Sequence, residues 1–149
     1  MPDRREFVCA ISGLAAAQFL PACAYAQEDV FAPLLASIAK GATVQPGRVM
    51  LETPLLADNG NSVPLEISVD SPMTAADHVA RIVLLSEKNP RPVMATFYLG
   101  PRAGKARIVT RVRLAGAQRI MAVAQLSNGS FWSGHVDVIV TSTACWDAS

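Results

Sequence analysis

Three cysteines, two histidines and a row of arginines are the residues here whose types and positions could do chemistry. Cys145 stands close to the end of the sequence, in the run Thr141-Ser142-Thr143-Ala144-Cys145-Trp146-Asp147-Ala148-Ser149. A thiolate is the nucleophilic form of cysteine, so an unpaired thiol in such a place is a candidate for chemical use. The competing reading is a buried, inert cysteine acting as a small hydrophobe. Its position argues against that, because residues so near a chain end are seldom packed deeply. Asp147 disfavours the thiolate and repels an incoming oxyanion. His78 and His135 read as strand-surface residues. A thiol enzyme with His135 as base is a weaker reading, since the strand between His135 and Thr141 spans roughly 20 Å. The sequence holds no Gly-rich phosphate loop, haem-attachment motif or metal-spaced cluster, so no cofactor, no metal and no catalytic residue is expected. Arg107, Arg111 and Arg113 alternate with Ile108, Val112 and Leu114, and Val109 interrupts the row. Such a stripe suits plain solvation, or contact with an anion or an acidic partner through the guanidinium fork.

The N-terminus decides which cysteines remain. Arg4-Arg5 precedes Glu6-Phe7, then a run of small apolar residues, then Ala24-Tyr25-Ala26 before Gln27. This order is that of a signal peptide, and the paired arginines resemble a twin-arginine leader. Residues 1–26 are therefore expected to be removed and 27–149 to form one exported, periplasmic domain. Gln18 and Pro21 break a run only marginally long enough to span a bilayer, so no membrane segment is expected after cleavage. A lipid-bearing Cys23 is a minor alternative. Cys9 and Cys23 would leave with the leader, and Cys145 would remain alone in a compartment where cysteines ordinarily pair. The formal charge of +1 provides no global field toward nucleic acid or an anionic membrane.

Certain elements must position that thiol. Phe31, Leu34, Leu35 and Ile38 fall on one helical stripe, with Asp29 as cap, Pro33 in the first turn and Gly41 as stop. The apolar face is expected to cover a sheet edge or one end of the core. From Val49 onward, short strands alternate with turn residues. They are expected at Val49–Thr53, Val63–Val69, His78–Ser86, Val93–Leu99, Arg107–Leu114, Ile120–Leu126, and on to about Thr141. Pro64 predicts an edge strand. The apolar runs at His78–Ser86 and Val93–Leu99 predict central ones. Ser127-Asn128-Gly129-Ser130 reads as a hairpin turn. The fold class is all-β: an immunoglobulin-like β-sandwich of about seven antiparallel strands with one short N-terminal helix.

Four segments together resemble the SoxY family: Asp58-Asn59-Gly60-Asn61-Ser62-Val63-Pro64-Leu65, then Glu87-Lys88-Asn89-Pro90-Arg91-Pro92 with Thr96-Phe97, then Thr110-Arg111-Val112-Arg113-Leu114-Ala115, then Leu126–Ser130. The resemblance spans about Phe31 to Cys145. It implies a periplasmic sulfur carrier, not an enzyme, that pairs with a SoxZ-like subunit and holds thiosulfate-derived intermediates on a C-terminal cysteine while separate sulfur-oxidising enzymes act on them. Cys145 occupies the matching position. The family tail flanks that cysteine with glycine pairs, whereas Ala144 and Trp146 flank it here, so the tail (142–149) is bulkier and stiffer. A non-covalent scaffold subunit of a periplasmic oxidation complex is the alternative.

Overall fold

The computed structural model describes residues 29–142. The expected leader at 1–26, Cys9, Cys23 and the tail from Thr143, Cys145 included, lie outside the described residues.

One helix, α1 (Phe31–Ala39), leads into nine strands: β1 (Val44–Pro46), β2 (Val49–Glu52), β3 (Leu56–Ala57), β4 (Val63–Val69), β5 (Val79–Ser86), β6 (Val93–Tyr98), β7 (Arg107–Val112), β8 (Gln118–Leu126) and β9 (Phe131–Val140). The larger sheet runs β1-β9-β8-β5-β6 with β3 also on β9, and the smaller runs β2-β4-β7. The fold is the expected immunoglobulin-like sandwich. Its two additional strands, β1 and β3, are two or three residues long and pair parallel to β9, an exception to the all-antiparallel expectation. Pieces so short carry no readable period.

Alternation distributes the side chains. Val63, Leu65, Ile67 and Val69 of β4 face Ile82 and Leu84 of β5, Ile120, Ala122 and Ala124 of β8, and Val138 of β9 across the main core. The intervening residues Val83, Leu85 and Val123 point to the opposite face of the larger sheet, where Phe31 and Ala39 of α1 cover them. That explains the continuous apolar run of β5: both of its faces are buried. Each fully buried Leu or Ile contributes about 1.5–3 kcal/mol relative to exposure. The helix thus covers a sheet face, not the expected sheet edge or core end. Asp29 does serve its start, its carboxylate accepting the Phe31 N–H at 3.1 Å. The stop comes one residue before Gly41, at Lys40 in the left-handed conformation.

Two strand placements differ from expectation. β4 is the middle strand of its sheet despite Pro64. Its pairing with β2 ends at Glu66, and the Pro64 carbonyl takes its hydrogen bond from the Thr53 hydroxyl at 2.8 Å. In an extended strand the nitrogen lies on the same side as the carbonyl, so the missing N–H faces a side that β2 has already left. β6, expected to be central, is the outer strand of the larger sheet, half-exposed along its length. Its apolar residues line the opening between the sheets.

The two sides of the sandwich differ. On one, β2 crosses β9 at Gly134 so closely that an added Cβ would sit 2.1 Å from the Val49 carbonyl oxygen. On the other, β6 and β7 stand apart. Gly134→Ala is expected to lower stability by about 2 kcal/mol, because backbone must shift to admit the methyl. A urea midpoint lowered at unchanged slope checks this; an unchanged midpoint would contradict the close approach.

Candidate functional site

The segment that leads into the Cys145 tail is fastened where β9 ends. Thr141 donates its N–H to the Ala57 carbonyl at 3.0 Å and its hydroxyl to the Asp58 carbonyl. The Ser142 hydroxyl donates to the same Asp58 oxygen at 3.1 Å, and the Ser142 carbonyl accepts the Gly60 N–H at 2.9 Å. The turn making these contacts is closed by Asn59, whose side-chain oxygen accepts the Asn61 N–H at 3.1 Å, as short polar side chains commonly do in turns.

Gly60 carries the connection to the other sheet. Its carbonyl accepts the N–H of Leu114, just past β7, at 2.8 Å. Leu114 is fully buried and bracketed by Asn89. The Asn89 amide group donates to the Arg113 carbonyl at 2.8 Å, and its oxygen accepts the Ala115 N–H at 2.9 Å and the Gln118 side-chain amide at 3.0 Å. The Gln118 oxygen in turn accepts the Ser86 hydroxyl at 2.6 Å and the Lys88 N–H at 3.0 Å, while Ser86 Oγ accepts the Asn89 N–H at 3.0 Å. Ser86 and Gln118 are the two buried polar side chains of the described core, and each is satisfied. Such a network fixes one arrangement, since any half-broken version leaves polar atoms stranded in a low-dielectric interior. Three of the sequence segments singled out above meet here: the Asp58–Gly60 turn, Asn89, and Arg113–Ala115.

Beside this junction lies a cleft of about 520 Å³ between β6 and β7. Leu84, Ala95 and Phe97 form apolar wall, and the exposed Arg91, Arg111 and Arg113 stand at the rim. The cleft and the tail root share one stretch of backbone, Arg113–Leu114. The expected stripe of three arginines is therefore divided. Arg111, whose Nη1 donates to Ser62 Oγ at 3.3 Å, and Arg113 belong to the cleft. Arg107 is instead forked onto Glu66, with Nη2 to Oε2 at 2.7 Å. Val109, largely exposed, separates the two groups. Arg91 was not among the expected site residues. Its only signal was its place between two prolines, which reads as a turn.

The histidines fall apart from this site. His78 is half-buried just before β5, its Nδ1 3.0 Å from the Thr74 carbonyl. His135 is exposed on β9, which runs unbroken to Val140, leaving it roughly 20 Å from Thr141 by strand rise. Among the described residues no group of three or more His, Cys, Asp or Glu is placed to hold a metal. Nor is any described helix long and apolar enough to cross a membrane.

The family described as sulfur oxidation protein SoxY matches residues 35–145. None of the curated proteins matches in sequence. Among solved structures, the sulfur carrier protein SoxY from Chlorobium limicola f thiosulfatophilum is similar at a TM-score of 0.62 and 22% identity, over 72% of this chain and 89% of that one. A superoxide reductase (neelaredoxin) from Ignicoccus hospitalis is similar at 0.56 and 16%, over 63% and 80%. One from Nanoarchaeum equitans gives 0.55 and 12%, over 64% and 100%. At these identities the likenesses concern the fold.

The Arg107 pairing has a direct electrostatic consequence. The guanidinium hydrogen bond holds the Glu66 carboxyl below the usual glutamate range, against a smaller opposing effect of burial, with charge attraction adding to it. A carboxyl lowered in the folded state stabilises the fold above its unfolded pKa, and that contribution fades as pH falls through the folded value. The pair is exposed, so the effect on stability is small. Arg107→Gln should move the Glu66 titration upward, read by carboxyl-carbon NMR, and leave the cleft unchanged. An unmoved titration would contradict the pairing.

Proposed function

Because this chain belongs to the SoxY family of sulfur oxidation proteins, we propose that it works as a sulfur carrier, holding thiosulfate-derived intermediates covalently on Cys145 and offering them to separate oxidising enzymes. The observation that carries this reading is the fastening of Thr141 and Ser142 onto Asp58 and Gly60. The tail has a fixed origin at the rim of a rigid sandwich, and Cys145 follows three residues later, a reach of roughly 10 Å. A carrier needs both parts: a body that partners can recognise and a thiol that extends beyond it. Joining the Cys145 thiol to the outer sulfur of thiosulfate forms one S–S bond and releases one proton and two electrons, so an oxidising partner must take the electrons. The residues described around the junction support holding and presenting, with the two histidines set away from it.

In this reading the protein is exported by its twin-arginine-type leader, acts in the periplasm and pairs with a SoxZ-like subunit. Arg111 and Arg113, with Arg91, give the cleft a positive rim suited to an oxyanion or to acidic side chains of a partner. A second reading is favoured by the residues around the cysteine. Ala144 and Trp146 stand where the resemblance leads one to expect glycine, and they limit entry into a narrow active site. On that reading the chain is a non-covalent scaffold of the same system.

One experiment separates them. The exported protein is incubated with thiosulfate and the partner oxidising system, and its intact mass is measured. The carrier reading predicts a sulfur-containing adduct on a chain beginning at Gln27, and loss of that adduct in Cys145→Ser. An adduct that persists in the variant would reject Cys145 as the attachment atom. No adduct in either protein, with partner binding retained by Cys145→Ser, would favour the scaffold.

A further inference from the structure

Residues 88–117 hold seven lysines and arginines and no aspartate or glutamate. All seven cations are exposed, and among the described residues only Arg107 of them is in an ion pair. The other described residues, 29–87 and 118–142, hold four cations against eight carboxylates. A chain whose formal charge is only +1 is therefore strongly polarised, with its positive side on β6, β7 and the loops that flank and join them.

The sandwich is incomplete on that same side. β2 lies over β9 at Gly134, so the three strands of the smaller sheet, counted from there, oppose β9, β8 and β5 and leave β6 with no strand opposite it. Ala95 and Phe97 of β6 share the core face with Leu84 and Ile82, yet they are only half-buried. The edge of β7 beside them is open. The Val69 N–H bonds to the Ala106 carbonyl at 2.9 Å, which sets the alternation along this antiparallel pair. Ile108, Thr110 and Val112 exchange hydrogen bonds with β4, and the N–H and C=O groups of Arg107, Val109 and Arg111 turn outward. Among the described residues those outward groups bond to nothing else.

We propose that β7 receives one further strand from a partner protein, an extended segment in which acidic and apolar side chains alternate. Its backbone pairs with the outward groups of Arg107, Val109 and Arg111, and its two faces do different work. Acidic side chains on the outer face meet Arg111, while apolar ones on the inner face drop onto Ala95 and Phe97 and fill the cleft. Charge selects the occupant. Arginines on an edge keep two copies of β7 from pairing with each other, because like charges would meet, and the same arginines favour an acidic strand. A small anion would use the guanidinium groups but leave the outward amides and the apolar wall unmatched, so the geometry points to a polypeptide. The inference deepens the partner contact proposed for the cleft. It holds for a carrier and a scaffold alike, and its test needs no sulfur loading, so its failure leaves the carrier reading standing.

The probe is a fluorescent, N-acetylated peptide of three Glu-Val repeats, and its binding to the exported protein is followed by anisotropy. Binding should weaken by about tenfold in Arg111→Glu, and by less than about twofold in Lys40→Gln, an exposed cation outside the segment. N-methylation of one alternate set of peptide amides, the set that faces β7, should abolish binding, and methylation of the other set should leave it. Amide hydrogen exchange at Val109 and Arg111 should slow when the peptide is bound. No binding to the parent protein, or equal effects of the two methylated sets, would overturn the proposal. So would slowed exchange at Thr96 and Tyr98 in place of Val109, which would put the strand on β6. An oligonucleotide of equal charge that binds as tightly at the same salt would also overturn it, because the surface would then be a general site for polyanions.

Discussion

Gly60 is the residue through which the two sheets hold the start of the tail. Its N–H reaches the Ser142 carbonyl beyond β9 of the larger sheet, and its carbonyl receives the Leu114 N–H beyond β7 of the smaller one. Remove that link and two strand ends on different sheets lose their common point. The rest follows from making the link permanent: Asn89 closes around Leu114, Gln118 and Ser86 satisfy Asn89, and the Asp58 carbonyl takes the hydroxyls of Thr141 and Ser142. No single bond here contributes more than about 1–2 kcal/mol net, yet each member protects its neighbour from being left buried and unsatisfied.

The sandwich supplies the setting by being closed on one side and open on the other. Gly134 lets β2 press onto β9, so the side that carries the tail is tight. At the β6–β7 side the sheets part, and three arginines stand around apolar wall. The tail root and this cleft meet at Arg113–Leu114. On the proposed reading, a partner gripping the cleft would also touch the backbone that fixes where the tail begins.

Much of this was legible in the residues. Strict alternation in Val63–Val69 and Val136–Val140 placed the core faces, and the Ser127–Ser130 turn follows its sequence, with Gly129 at a φ of +84°. Failures came where a residue's local tendency was overruled by its neighbours. Pro64 sits in a middle strand because β2 ends short of it. The apolar β6 is an edge because its side chains face a cleft. The helix found a sheet face because β5 is apolar on both sides, which period alone does not assign to a partner. For the site, the turn at Asp58–Asn61 and the break at Asn89–Pro90 were visible as turns, but their meeting was not. Asn89, Gln118 and Ser86 are far apart in sequence, and nothing in one stretch of chain reports a hydrogen bond to another. Arg107 likewise looks equal to Arg111 and Arg113 in the sequence, and its pairing with Glu66 on the adjacent strand is visible only in the fold.

The account stands on the tail root being held by a connected set of bonds and not by β9 alone. Amide hydrogen exchange in Asn89→Ala, compared with the parent protein, tests this most directly. Loss of the bracket should raise exchange at Leu114, Gly60 and Thr141 together, by about tenfold, while Ala122 in the β8 core stays protected. Faster exchange at Leu114 alone, with Gly60 and Thr141 as slow as before, would contradict it.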